Sequence, residues 1–518
     1  MKGEGRRTTD GVRRTRDGGR SGAAAPIAAL AFVMSLVPAL ASAQVTAWPT
    51  ERPPMALPAR DVKFPPYEIR TLANGLQVVV VQHHEQPVVT LRLLVRAGAS
   101  ADPDKKQGTA VLTAALLDQG TKTRSAAQIA DTIDTVGGGL GTGAGTDLSF
   151  TNVLVMKDSL GLGFELLSDV ARNPAFSQEE LERQRQQAVS GLKVSYEDPD
   201  YIAGLVFDRL VYGFHPYGLP NNGTLESLQS ITADDLRAFH HAHYTPNNSI
   251  LAVVGDIAPE EAFAVAERAL GNWERRDVPP VAQANPPEPT RRVVIVNKPD
   301  AVQTELRVGQ LAIPRKHPDY LAFDLAMKIL GGEGANRLFR VLRSERSLTY
   351  GASAEYQALQ QSGDFVADTD TRSETTAEAL RVIIEEITKL QRERVSSREL
   401  ADAQAYLEGS FPLTIETPDA IAAQVLNALF YGLPLSDIEN YREMVNKITP
   451  DDIQRVARQY LRPDRLSVVL VGNADAFTKD LAGVGFTQYE LVNLPELDLT
   501  SVTLHRRPRT ASAPRSGP

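Results

Sequence analysis

Two stretches of this sequence share one pattern, SITADDLRAFHHAHYTPNNSILAVVGD at residues 230–256 and KITPDDIQRVARQYLRPDRLSVVLVGN at residues 447–473. Matching isoleucine, aspartate, proline and glycine residues lie at a constant offset of 217 positions. LVYG at 210–213 and LFYG at 429–432 repeat in the same order at nearly the same offset. The chain therefore contains an internal repeat, because unrelated segments would not keep one spacing over this length.

Each copy predicts a threonine-capped helix with an acidic first turn, then a proline turn and an apolar strand that ends at glycine. Further upstream, YEIRTLANGLQVVVVQ at 67–82 predicts a hairpin with its turn at Asn74-Gly75. Long helices are predicted at 179–198 and 375–395. Strands and helices alternate without a βαβ rhythm, so we expect an α+β protein in which each copy is a mostly antiparallel sheet with helices packed on one face.

The repeat also predicts where the domains begin and end. The segment between the copies, ERRDVPPVAQANPPEPTRR, is rich in proline and charge and is typical of a semi-extended linker. The expected organisation is a signal peptide at 1–43, a linker at 44–64, a first domain at 65–273, a second linker at 274–292, a second domain at 293–491 and a disordered tail at 492–518.

The N-terminal segment predicts export. Residues 1–22 are basic, and residues 23–43 are small and apolar and end in Ala41-Ser42-Ala43, which is typical of a signal peptide cleaved before Gln44. An uncleaved membrane anchor is the alternative. The chain has no cysteine and so cannot form disulfides. An exported protein without disulfides is typical of the bacterial periplasm. We therefore expect a periplasmic protein without membrane attachment after cleavage.

The composition excludes several functional classes. Hydrophobic residues make up 42% and charged residues 23% of the 518 residues, as in ordinary globular proteins. The net charge of −9 becomes about −13 when the first 43 residues are removed, which argues against nucleic acid and anionic membranes as partners. The absence of cysteine excludes thiol catalysis, Cys-ligated zinc and iron–sulfur clusters.

Several motifs together resemble the pitrilysin/insulinase (M16) family of zinc peptidases. The motifs are LANGLQVVVVQ at 72–82, GAS at 98–100, GTAVLTAALLDQGT at 108–121, VGGGL at 136–140, LVYGFHPYGLPNNGT at 210–224 and LGGEGANRLFRVLRSERSLTY at 330–350. The resemblance covers nearly all of residues 65–491. It implies two homologous domains in a clamshell.

The zinc motif of that family is missing. Catalytic members have Gly-x-Ala-His-x-x-Glu-His where this chain has GTAVLTAA, so Val111 and Ala115 replace the two histidines and Ala114 replaces the glutamate. The downstream glutamate ligand falls at Ser190-Gly191, where neither residue has a carboxylate. We therefore expect no zinc or other cofactor in this chain, and zinc only in a partner subunit.

Other candidate ligands have simpler explanations. Glu197 and Asp198 lie too far along the chain for the ligand position and predict a helix end. His240, His241 and His243 are explained by favourable charge at the C-terminal end of a helix rather than by a metal. The segment His83-His84-Glu85 is expected to be solvated at a strand end.

One functional pair of the family is retained. Arg343 and Tyr350 lie seven residues apart in NRLFRVLRSERSLTY and resemble the arginine and tyrosine that contact the substrate backbone and the oxyanion at an opposing zinc site. A guanidinium and a phenol suit this task because they donate hydrogen bonds to developing negative charge. The alternative is that both residues only cap and pack a helix end.

The presumed edge strand has diverged. GGGLGTGAGTDLSF at 137–150 places Gly141-Thr142 where the family tends to have Asn-Ala. Dense glycine predicts a weak strand with a loose register. We therefore expect no strict pairing with substrate here, and the alternative role of Gly143 and Gly145 is to make room for a partner backbone.

The resemblance and its gaps lead to a functional hypothesis. The chain is expected to be a non-catalytic subunit that pairs with an M16 chain bearing His-x-x-Glu-His and helps to form a chamber that degrades peptides. The alternative is a peptide-binding or structural scaffold without a proteolytic role. A free-standing hydrolase would need a nucleophile or metal site that the sequence does not reveal.

Overall fold

The computed structural model describes residues 63–280, 285–288, 290–332 and 336–506. The predicted signal peptide, most of the first linker and residues 507–518 lie outside these ranges. The twelve strands are β1 Tyr67–Thr71, β2 Gln77–Gln82, β3 Val88–Val95, β4 Gly139–Ala144, β5 Ser149–Met156, β6 Ser249–Gly255, β7 Arg292–Asn297, β8 Gln303–Ala312, β9 Ala352–Ala358, β10 Gly363–Arg372, β11 Ser467–Gly472 and β12 Glu490–Asn493.

The α-helices occur in two similar series. They are α1 Thr109–Leu116, α2 Ala126–Thr135, α3 Leu160–Arg172, α4 Gln178–Ser195, α5 Pro199–Tyr212, α6 Leu225–Ser230, α7 Ala233–His243, α8 Pro259–Leu270, α9 Tyr320–Gly331, α10 Thr376–Arg392, α11 Ser397–Ser410, α12 Pro418–Tyr431, α13 Ser436–Glu439, α14 Tyr441–Asn446, α15 Pro450–Tyr460 and α16 Ala474–Leu481. A π-helix covers Phe339–Glu345. No helix in the described residues is long and apolar enough to cross a membrane.

The repeated stretches form the same helix and strand in each copy. Thr232 caps α7 and Thr449 caps α15, and in both cases the threonine side chain accepts from the backbone of the aspartate three residues on. That aspartate in turn accepts from the backbone N–H of the threonine, at 2.7 Å and 3.0 Å. The predicted capped helices and the strands that follow them are confirmed.

Each copy contributes one six-stranded sheet. The strand orders are β1-β2-β6-β3-β5-β4 and β12-β7-β11-β8-β10-β9. Five of the six positions correspond in the two sheets. The sixth differs, because β1 pairs antiparallel with β2 whereas β12 pairs parallel with β7. Most neighbouring strands are antiparallel, so the predicted fold class is confirmed.

The two halves exchange one helix each, which the sequence did not predict. One face of each sheet packs against helices of its own half, as expected. The opposite face of the first sheet is covered by α12 of the second half, and the opposite face of the second sheet is covered by α5 of the first half. The LVYG and LFYG repeats end these two exchanged helices.

Polar contacts also connect the halves. The Tyr212 hydroxyl at the end of α5 donates to the buried Asp364 carboxylate of β10 at 2.7 Å. Asp147 of the first half accepts from the Tyr217 hydroxyl at 2.7 Å and from the Gln360 backbone N–H of the second half at 3.0 Å. The halves are therefore joined by hydrogen-bonded carboxylates as well as by exchanged helices.

Asp364 should make the stability of the protein depend on pH. Burial raises the pKa of Asp364 to about 6 from 3.8. The folded chain then holds a proton that the unfolded chain releases, so this group's contribution to stability falls as the pH rises from about 4 to 6. Asp364→Asn removes this dependence, because asparagine does not titrate. The difference in unfolding free energy, variant minus unsubstituted chain, should therefore rise by about 2–3 kcal/mol between pH 4 and pH 7. Urea titrations at each pH measure it, and a pH-independent difference would contradict it.

The predicted tail needs a correction. The expectation of disorder from residue 492 is wrong for the described part, because the chain continues through β12 and pairs Leu497 with His505 in an isolated bridge. The Arg209 guanidinium of α5 donates to the Leu499 carbonyl at 2.9 Å. The segment is ordered because the side chains of Leu499 and Leu504 pack on α5.

Candidate functional site

The helix at the expected zinc motif is anchored from both ends. Gly108 precedes α1 with φ of +96°, a left-handed conformation that favours glycine. Asp102 caps the helix, because its carboxylate accepts from the backbone N–H groups of Gly108 and Ala110, both at 2.7 Å. At the other end, the Thr142 hydroxyl of β4 donates to the Ala114 carbonyl at 2.7 Å. The stretch therefore forms a short, largely buried helix, Thr109–Leu116.

The side chains at the motif positions cannot hold zinc. Val111 and Ala115 lie one turn apart on the half-buried face of α1, and Ala114 is fully buried. Ser190 and Gly191 lie on an exposed part of α4. Neither hydrocarbon side chains nor glycine offer a zinc donor. Among the described residues, no group of His, Asp or Glu side chains is placed to hold a metal ion.

Restoring the two histidines tests this placement. Because positions 111 and 115 share a half-buried face, the double variant Val111→His, Ala115→His should fold and bind zinc with a Kd of about micromolar strength. Equilibrium dialysis against buffer that contains micromolar zinc, followed by atomic emission, measures the bound zinc. The single variant Val111→His is the matched control and should retain little zinc. Equal zinc in the two variants would contradict the predicted geometry.

The helix-end interpretation of Glu197 and Asp198 agrees with the structure. Helix α4 ends at Ser195, and the Asp198 side chain caps α5 by accepting from the Asp200 backbone N–H at 3.1 Å. Asp198 therefore organises the turn that starts the exchanged helix α5.

Of the three histidines at the end of α7, His240 and His243 are packing residues, whereas His241 is exposed. His240 shares a hydrogen bond with the Ala171 carbonyl at 2.9 Å and stacks on Tyr244 at 4.7 Å between ring centroids. Burial lowers the pKa of His240 to about 4. The explanation by positive charge at a helix end is therefore wrong for His240, because it is neutral at pH 7. Burial also lowers the pKa of His243.

Arg343 and Tyr350 lie together on the surface. The Arg343 guanidinium donates to the Tyr350 backbone carbonyl at 2.6 Å and lies 4.9 Å from the centroid of the Phe339 ring. The Tyr350 side chain is 82% exposed. Both residues therefore present donors to solvent from one place in the second half.

The backbone that carries this pair is unusual. Arg343 belongs to the π-helix Phe339–Glu345, a conformation that is rare and occurs often at functional sites. Ser347, between Arg343 and Tyr350, has φ of +54°, which is strained for a residue other than glycine. The Leu348 N–H donates to the Leu342 carbonyl at 2.8 Å and closes the loop. The loop thus holds the Tyr350 backbone close to Arg343 at a cost in backbone strain.

The glycine-rich strand differs from expectation. Strand β4 pairs in a regular register with β5 from Gly139 to Ala144, so the predicted loose register is not observed. A Cβ on Gly143 would lie 2.7 Å from the Phe150 ring. The absence of a side chain at Gly143 therefore makes room for Phe150 rather than for a partner. Gly145 accepts from the Ala99 N–H at 2.9 Å within the chain itself.

The sequence resembles one family of proteins over most of its length. Residues 77–211 match the family described as insulinase (peptidase family M16), and residues 230–407 match the one described as peptidase M16 inactive domain. An uncharacterized zinc protease of Bacillus subtilis is 23% identical over 76% of this chain and 95% of its own length. The zinc protease PqqE of Helicobacter pylori is 23% identical over 79% of this chain and 93% of its own length.

Solved structures agree in fold. A peptidase M16 inactive domain from Pseudomonas fluorescens has a TM-score of 0.74 at 29% identity and covers 79% of this chain and 98% of that one. A protease from Helicobacter pylori has a TM-score of 0.75 at 23% identity, over 79% of this chain and all of that one.

Proposed function

Because the chain belongs to the M16 (insulinase) family of peptidases, we propose that it is a non-catalytic M16 subunit that pairs with a second, zinc-bearing M16 chain. The two chains enclose peptides, and the partner supplies the metal. This chain supplies donors that hold the peptide backbone.

The observation that carries the proposal is the contrast between two sites. At the motif positions, Val111, Ala114 and Ala115 offer no donor atom. Arg343 and Tyr350 keep their spacing, lie exposed and belong to one loop, in which the Arg343 guanidinium donates to the Tyr350 backbone carbonyl. A chain that has lost the metal donors but keeps exposed oxyanion donors can contribute to catalysis only beside a site supplied by another chain.

The chemistry assigned to the pair follows from its donors. A peptide carbonyl gains negative charge when water adds to it, and fixed donors stabilise that charge. The Arg343 guanidinium has further N–H groups beyond the one bonded to Tyr350. The Tyr350 phenol adds one more O–H donor from the same loop.

We further propose that the complex works in the periplasm. The support is the N-terminal pattern of basic residues, apolar residues and Ala41-Ser42-Ala43, together with the absence of cysteine. Cell fractionation with N-terminal sequencing tests this, and a mature chain that begins at Gln44 is the expected result.

Purification from the native cells in mild buffer, followed by mass spectrometry, tests the pairing. The expected result is a stoichiometric companion of similar size that bears His-x-x-Glu-His. Isolation of the chain alone would overturn the proposed pairing, and recovery within a large assembly without a peptidase would instead favour a structural scaffold.

A further inference from the structure

An open groove lies on the first half, between helices α3 and α8. Its volume is about 430 Å³, which is within the range of sites that bind small molecules. We call it the α3–α8 groove. Its walls include Gly161, Glu165 and Ser168 of α3 and Val265, Arg268 and Ala269 of α8. The function proposed above uses none of these residues.

A glycine leaves the apolar part of the groove open. Gly161 is exposed, and a Cβ added to it would have no heavy atom within 4 Å beyond its own stretch of helix. Such a Cβ would therefore point into free space. On α8, the side chains of Val265 and Ala269 are half-buried. A ligand chain that covers these residues removes apolar surface from water, which favours binding.

Three charged groups of the groove pair with each other. Arg124, from the loop before α2, forms ion pairs with Asp169 at 2.9 Å and with Glu165, and we call these three residues the Arg124 cluster. Asp169 also accepts from the hydroxyls of Thr121 and Thr123, at 2.7 Å and 2.9 Å. The cluster is therefore held in place by contacts within the protein.

Two further arginines have no carboxylate partner. The Arg172 guanidinium lies behind the groove and donates to the Ser168 hydroxyl at 3.3 Å and to the Ala269 carbonyl at 3.1 Å. Arg268 lies exposed on α8. In the part of the chain that the structure describes, neither arginine forms an ion pair, and Arg268 makes no hydrogen bond through its side chain. Since the Arg124 cluster contains one cation and two carboxylates, the two further arginines bring the net charge of the region to +1.

The corresponding helix of the second half has larger side chains at the same positions. A short 3₁₀-helix follows β5 and precedes α3, and another follows β10 and precedes α10. Counted from the first residue of each α-helix, Ala377 and Ile384 of α10 occupy the positions of Gly161 and Ser168. Ala377 is 7% exposed, and Ile384 packs against the core of the second half. The groove therefore depends on the particular sequence of α3 rather than on the fold that both halves share.

We propose that the α3–α8 groove binds a small organic carboxylate that carries an apolar chain. The carboxylate pairs with the Arg268 guanidinium, which offers several N–H donors. The positive charge of Arg172 behind the groove favours the same anion. The apolar chain covers Val265, Ala269 and the open space at Gly161. A fatty acid and the C-terminus of a short apolar peptide share this chemistry.

Ligand binding by the unsubstituted chain alone is the first test. Isothermal titration calorimetry compares two carboxylates, octanoate and N-acetyl-L-leucyl-L-phenylalanine, with their uncharged counterparts, 1-octanol and N-acetyl-L-leucyl-L-phenylalaninamide. At least one carboxylate should bind with a Kd below about 1 mM, and its uncharged counterpart should bind at least about tenfold more weakly. Binding of octanoate alone would identify a fatty acid as the ligand, and binding of the peptide alone would identify a peptide C-terminus.

The proposal is overturned if neither carboxylate binds with a Kd below about 1 mM. It is equally overturned if the uncharged counterparts bind less than about tenfold more weakly than the carboxylates. Because the measurement needs no partner chain, its result is independent of the proposed peptidase pairing.

Two variants then locate the site. Arg268→Gln removes the charge that pairs with the ligand, and Gly161→Leu fills the open space with a side chain that also favours the helix. Each should weaken binding at least about tenfold. The matched controls Arg398→Gln and Gly409→Leu make the same changes at exposed positions of α11 in the second half, and they should bind as the unsubstituted chain does. Circular dichroism confirms that each variant is folded, and unchanged binding in either folded groove variant would overturn the assignment.

Discussion

Arg343→Ala is expected to lower peptide turnover by the assembled complex about 10²–10³-fold. The loss is large because a fixed donor that acts on the charge of a transition state contributes about 3–4 kcal/mol. The substitution removes the guanidinium that lies exposed beside Tyr350, whereas assembly should not change. Steady-state cleavage of a fluorogenic peptide, with size-exclusion chromatography of the same sample, measures both properties.

Arg346→Ala is the matched control for this experiment. Arg346 follows the same π-helix and is exposed, but its guanidinium pairs with Glu378 at 3.0 Å. Its loss should therefore change turnover by less than about threefold, as expected for a surface ion pair. Tyr350→Phe should lower turnover in the same direction as Arg343→Ala, because it removes only the phenol hydroxyl. Full activity of the assembled Arg343→Ala complex would show that the pair has only a structural role.

Phe207→Ala is expected to destabilise the chain by about 3–5 kcal/mol. Phe207 lies on the exchanged helix α5 and is 2% exposed. Its ring packs against Gly309 of β8, because a Cβ added at Gly309 would lie 2.9 Å from the Phe207 ring. The same Cβ would lie 1.9 Å from the Phe365 carbonyl oxygen. Removal of the ring leaves a cavity between a helix of one half and the sheet of the other. Guanidinium unfolding followed by circular dichroism measures the loss.

Phe164→Ala separates this effect from ordinary core damage. Phe164 is 1% exposed and packs only within the core of the first half. Amide hydrogen exchange should show that Phe207→Ala lowers protection in β8 and β11 of the second half, whereas Phe164→Ala acts first on the first sheet. A loss below about 1 kcal/mol for Phe207→Ala, or a loss of protection confined to the first half, would contradict the exchange of helices.

Local features of the fold could be predicted from the sequence because their causes are local. The caps at Thr232 and Thr449 need only residues three positions apart. The hairpin at Asn74-Gly75 is likewise set by neighbouring residues. The repeat then implied one sheet for each half. The absence of metal donors at Val111 and Ala115 is a property of the side chains themselves, so no structure was needed to recognise it.

The tertiary structure alone decided which element covers each face. The strand QVVVVQ at 77–82 has apolar residues on both faces, and both faces are buried. It could not indicate that Val79 and Val81 would pack against α12, more than 300 residues away in the chain. Likewise, Asp147 accepts from the Tyr217 hydroxyl of its own half and from the Gln360 backbone N–H of the other half, and only folding brings these three residues together. The spacing of apolar residues along a strand or helix indicates which of its faces are buried. The identity of the element that covers each face depends on contacts that are non-local in sequence.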